Sequence, residues 1–178
     1  VALTQDNAKA HKALGLALLA AGKLDKAIQA NERSFALAPN WAAPVNNNAE
    51  IYQITGQLQL AYHANQTTIK IDVKDPIPYL HLANTYRDLL MPEHAIRAYR
   101  RSLQLKPDYL LALNALATYH LNFKEPDKTV AITNQLLQNH ANHSQALYLF
   151  GLAHLVRGEE SQAQSRFVQA AQTSGAMY

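Results

Sequence analysis

His140 and His143 (HANH) are the first residues to test for chemistry, because two imidazoles three residues apart on a helix share a face and can hold a metal. They fall instead in a turn-like stretch beside Asn139 and Asn142, with no carboxylate or third histidine close by, and a bound metal wants at least three ligands. His120 and His154 stand 34 residues apart and read as helix-packing or surface histidines. Glu159 and Glu160 lie between two helical patterns, where a solvated pair of carboxylates is the ordinary outcome. No serine sits in a Gly-x-Ser-x-Gly elbow and no glycine-rich phosphate loop is present. The chain contains no cysteine, which removes disulfides, thiolate zinc sites and a thiol nucleophile. No catalytic residue, metal ligand or cofactor site is assigned, and the reading is that the chain is not an enzyme. Arg97, Arg100, Arg101 and Lys106 form a basic strip. A nucleic-acid footprint would need that strip to continue on neighbouring helices; it does not, so it reads as a solvated face and no nucleic-acid partner is expected.

What remains is a set of polar residues whose use depends on the elements beneath them. The stretch 76–109, PIPYLHLANTYRDLLMPEHAIRAYRRSLQLKPDY, contains two amphipathic helical patterns broken at Met91-Pro92. Tyr79, Leu82, Ala83 and Tyr86 have three-and-four spacing, as do Ala95, Ile96, Tyr99, Ser102 and Leu103. Pro92 suits a first helical turn and Pro107 marks an end. A 34-residue step generates five such repeats, 8–41, 42–75, 76–109, 110–143 and 144–177. Their eighth place is Gly15, Ala49, Ala83, Ala117 and Gly151; their twentieth is Ala27, Ala61, Ala95, Thr129 and Ala163; the fifteenth is glycine at Gly22, Gly56 and Gly158. Small residues at fixed places let paired helix axes approach closely. All seven prolines fall at repeat or helix boundaries, sparing the helix interiors where each would cost about 3 kcal/mol.

This period and its small residues resemble the tetratricopeptide repeat (TPR) over nearly the whole chain. The resemblance implies an all-α fold, a right-handed α-solenoid of antiparallel helix pairs forming one array over 8–177. Residues 1–7 read as the tail of a possible preceding repeat, and Met177 and Tyr178 as a repeat boundary, so the chain is expected to be an excised array with uncapped ends.

The chain has 178 residues, 48% hydrophobic, enough for a short solenoid with a continuous core. Charged residues make up 16%, below the typical level of about 25%, and asparagine and glutamine supply much of the missing polarity. The net charge of +3 is mild, and no apolar run approaches the length of a membrane span. The lack of cysteine fits a reducing cytoplasm or a bacterial periplasm equally.

The second repeat fits its neighbours least well. Asn48 replaces the large apolar residue of the seventh place, while Asn31 and Asn65 stand where Tyr99 and Phe167 stand elsewhere. A buried unpaired amide costs roughly 1–3 kcal/mol, so these asparagines are expected to form a polar seam between repeats one and two, bonding to one another, to backbone or to water.

In TPR arrays the first helices line a concave groove that holds peptides or helices of partner proteins. The resemblance places Lys12, Asn46, Glu50, Asn84, Arg87, Asp88, Asn114, Asn122 and Tyr148 on that face. Amides there could bond both N–H and C=O of an extended backbone, with Arg87 offering a fork to a carboxylate. Two subtypes of the family fit poorly. A chaperone carboxylate clamp is matched at Lys12 and Asn47 but not at Leu16, Ile77 and His81, and the asparagine ladder of sugar-transferring enzymes is matched only at Asn47. The expected function is a protein-interaction scaffold binding a protein or peptide partner. The alternatives are a recognition arm excised from a larger, transferase-like enzyme, or a module that self-associates through its uncapped ends.

Overall fold

The structure, a computed structural model, describes residues 7–175, with side chains described as far as Thr173. The readings of residues 1–6 as a repeat tail and of Met177 and Tyr178 as a boundary lie outside the described residues. Every regular element among the described residues is an α-helix, and the chain divides into two compact units, Val1–Leu105 and Lys106–Tyr178.

The N-terminal unit holds three antiparallel pairs: α1 (Ala8–Ala20) with α2 (Leu24–Leu37), α3 (Ala43–Ile54) with α4 (Leu58–Ile71), and α5 (Ile77–Asp88) with α6 (Pro92–Leu105). The C-terminal unit holds two: α7 (Leu110–Asn122) with α8 (Pro126–Asn139), and α9 (Ser144–Val156) with α10 (Glu160–Gly175). Within each unit the first helix of a pair packs on both helices of the pair before it.

The pairs close because their small residues meet. Ala49, Ala83 and Ala117 at the eighth place, and Ala27, Ala61, Ala95 and Thr129 at the twentieth, have no exposed surface. A Cβ added to Gly15 would overlap Asn31 Oδ1, and one on Gly151 would lie 2.5 Å from the Phe167 ring. Cross-helix hydrogen bonds reinforce this packing. Ser34 Oγ donates to Ala8 O at 2.7 Å and Ser102 Oγ to Pro76 O at 2.8 Å, each tying the far end of a second helix to the start of its partner. Thr129 Oγ1 reaches Ala117 O at 3.2 Å.

Each first helix ends in the same turn. In the first, the amide of Gly22 donates to Leu19 O and that of Lys23 to Leu18 O; equivalent bonds close the turns at Gly56, Leu90, Lys124 and Gly158. This is the Schellman arrangement, which satisfies carbonyls that a helix end would leave bare and needs one residue with positive φ. Glycine supplies it at 22, 56 and 158, with φ of 70°, 72° and 76°, but Leu90 (57°) and Lys124 (56°) adopt it as well. Starts are set by Pro44, Pro78 and Pro126 in first turns, by Asn7 accepting from the Ala10 amide, and by His143 accepting from the Ala146 amide.

The asparagine seam forms in part. Asn31 Nδ2 donates to Asn48 Oδ1 at 2.8 Å in a buried contact that joins the first two pairs. Asn65 does not join it. It lies between the second and third pairs, with Nδ2 3.5 Å from Thr85 Oγ1. The Oδ1 atoms of Asn31 and Asn65 are buried without a hydrogen-bond partner.

Candidate functional site

The expected binding residues fall into two groups, one in each compact unit. In the N-terminal unit, α3 packs beside α1 and α5, so Lys12, Asn46, Glu50, Asn84, Arg87 and Asp88 share a row of three adjacent first helices. Side chains stitch that row together. Gln53 Nε2 donates to Asp88 Oδ2 at 3.2 Å, and Asn46 Nδ2 lies 3.5 Å from Asp75 Oδ2, at the entrance to α5. Asn84 is fixed from the second helix, since the buried Tyr99 donates its hydroxyl to Asn84 Oδ1 at 2.6 Å.

Arg87 is engaged within its own helix. Its Nε and one terminal nitrogen both lie 2.8 Å from Asp88 Oδ1, and its other terminal nitrogen lies 3.4 Å from Asn84 Oδ1. One edge of the guanidinium is taken by the neighbouring aspartate, and the side chain stays partly exposed. The reason is local: a carboxylate next in sequence costs little entropy to hold, whereas a ligand must be brought in.

Two atoms on α3 have the opposite character. Asn46 Oδ1 and Asn47 Nδ2 are buried with no hydrogen-bond partner, leaving an acceptor and a donor on consecutive residues of the row. Glu50 is exposed beside them. His81 lies on α5, half-buried near Glu50 and Asp75. Burial lowers its pKa below the usual imidazole value, while the charges of Glu50 and Asp75 oppose the shift.

In the C-terminal unit α7 and α9 lie side by side and carry Asn114, Asn122 and Tyr148. Asn114 is buried, and its Oδ1 has no partner. Asn122 is exposed. Tyr148 tilts against Phe167 at 5.6 Å, and the two rings help line a hollow of about 640 Å³ with Ser144, Gln145, Ala170 and Ala171.

Sequence reasoning passed over one constellation here. His120 and His154 are buried, and each bonds through Nδ1 to a glutamate five residues on, His120 to Glu125 at 2.6 Å and His154 to Glu159 at 2.5 Å. The pattern is legible as HLNFKE and HLVRGE, one in each of the two C-terminal repeats. The hydrogen bonds from Lys128 and His120 hold the Glu125 carboxyl below its ordinary pKa. These pairs bridge the end of a first helix to the entrance of its partner. Among the described residues no three His, Asp or Glu side chains converge on a point that could hold a metal. No helix among them is long and apolar enough to cross a membrane.

No family model and no curated protein sequence matches the chain. Solved structures match in fold. One MamA structure superposes with a TM-score of 0.75 at 20% identity, covering 96% of this chain and 94% of that one. A thermophilic TPR protein of Thermus thermophilus gives 0.77 at 17% identity, covering 94% and 92%. YrrB, described as a TPR protein with an unusual peptide-binding site, gives 0.67 at 14% identity, covering 96% and 88%. The chain is all-α and has the fold of TPR proteins.

Proposed function

We propose that this chain is a protein-interaction scaffold whose first-helix faces hold an extended peptide or a helix of a partner protein. The observation that carries the reading is the unpaired acceptor and donor at Asn46 Oδ1 and Asn47 Nδ2. Each residue of an extended peptide brings one N–H and one C=O, which is the complement of that pair. Both atoms are covered but their side chains are only half-buried, so turning each amide toward a ligand backbone would recover the roughly 1–3 kcal/mol apiece that the unmade bonds cost. The fold supports the reading, because YrrB is described as having a peptide-binding site on the same architecture. Glu50 and Lys12 would then discriminate by charge, while Arg87 and Asp88 hold the rim in place.

Short random peptides selected by display on the intact chain test this directly. The expected result is peptides whose affinity falls about tenfold or more in Asn46→Ala/Asn47→Ala, the loss of one to two well-placed hydrogen bonds. A selection that yields no peptide losing affinity in the double variant would overturn the assignment.

A further inference from the structure

Away from the first-helix row, the N-terminal unit has a cleft of about 240 Å³ between α4, the end of α5 and the start of α6. Gln59, Tyr62, Tyr86, Leu89, Met91 and His94 line it. Its walls are rings. Tyr62 and Tyr86 meet edge to face with centroids 5.9 Å apart, His94 lies 5.1 Å from Tyr86, and His63 stands edge-on to Tyr62 at 5.4 Å. The edge-to-face and tilted contacts hold the rings in place before any ligand arrives.

Basic residues outnumber acids around the cleft, and Asp88 at the end of α5 is paired with Arg87. Helices α4 and α6 carry Lys70, Arg97, Arg100 and Arg101 against a single acid, Glu93. On α2, the matching helix of the first pair, Asp25 and Glu32 balance Lys26 and Arg33. Arg101 is engaged with the Tyr79 ring and Gln104. Arg97 and Arg100 are exposed, and Arg97 is close enough to Tyr86 for its charge to act on that phenol. An aromatic box alone would suit a cation, but Arg97 at its edge repels one.

We propose that this cleft docks an acidic segment of a partner protein, with one aromatic or branched apolar side chain set among Tyr62, Tyr86 and Met91 and its flanking carboxylates on Arg97 and Arg100. The rings and Met91 offer an anchor pocket, which carries most of the affinity at such surfaces, while the exposed arginines set selection and salt dependence. Polynucleotide is the poorer fit, because the excess of bases does not extend to α2 and the lining holds Leu89 and Met91 rather than a continuing phosphate track.

Peptides from a random display selection, sorted by competition into those sensitive to Arg97→Glu and those sensitive to Asn46→Ala/Asn47→Ala, separate this site from the first-helix row. The first class is expected to be acidic with a large apolar residue. Its members should lose affinity about tenfold in Arg97→Glu, weaken as salt rises, and bind Asn46→Ala/Asn47→Ala unchanged. Tyr86→Ala should abolish the same binding; because it could also loosen the fold, the exposed Arg97→Glu carries the decision. Recovery of no acidic peptide sensitive to Arg97→Glu would overturn the proposal. So would tighter binding of a fluorescein-labelled oligothymidylate than of any selected peptide, lost in the same variant.

Discussion

His81 shows how a residue with two carboxylates in electrostatic reach can still be held neutral. Burial lowers its pKa and outweighs the opposing charges of Glu50 and Asp75. A lowered imidazole pKa means that the unfolded chain takes up the proton more readily than the folded one. The stabilisation is therefore complete above the unfolded value of about 6.5 and is lost as pH falls below it. Urea midpoints should drop between about pH 7.5 and pH 5.5 and flatten in His81→Gln; a midpoint that rises on acidification would show that the carboxylates win. Glu125 acts lower on the scale. Its pKa is depressed, so its contribution is present above the ordinary carboxylate range and disappears as pH falls through it. At this scale the sequence was a partial guide. Residue types at the first-helix places were readable from the period, but the capture of Arg87 by Asp88 depends on rotamers, and the partner of each buried histidine depends on where a turn brings it.

The turn joining each helix pair is the most repetitive element, and its demands differ from what glycine alone would suggest. Five turns share one bonding pattern, so the backbone geometry follows from packing two helices across small residues, not from the residue at the fifteenth place. Leu90 and Lys124 are forced into left-handed backbone that costs an L-residue roughly 1–2 kcal/mol. Leu90 is 85% exposed and gives up little packing if removed. Leu90→Gly and Lys124→Gly should each raise stability by about 0.5–1 kcal/mol in denaturant titrations, and Gly56→Ala should lower it by a similar amount. A loss of stability in both glycine variants would mean that the strain is absorbed elsewhere. Sequence showed where the break lies, through Met91-Pro92 and the glycines, but not that leucine and lysine would share the glycine conformation.

Across the N-terminal unit the three pairs are not equally well made. The third has Tyr99 fully buried and its ends tied by Ser102, whereas the second is bounded by asparagines with two unpaired buried oxygens. Repeat arrays open locally where neighbour contacts are weakest. Amides of α3 and α4 should therefore exchange with solvent faster than those of α5 and α6, and equal protection would show that the Asn31–Asn48 bond compensates in full. The period of 34, the small residues at two places and the boundary prolines were enough to determine an all-α architecture of paired helices, because helix pairing is a matter of periodic volume and backbone limits that each repeat restates locally. Which polar atoms end up buried and unpaired, which arginine is already engaged, and where Tyr62, Tyr86 and His94 frame a cleft were decided by the tertiary structure alone. The arginine's engagement rests on rotamers within one repeat, while the buried amides and the cleft arise where side chains of different repeats meet, at distances that no single repeat encodes.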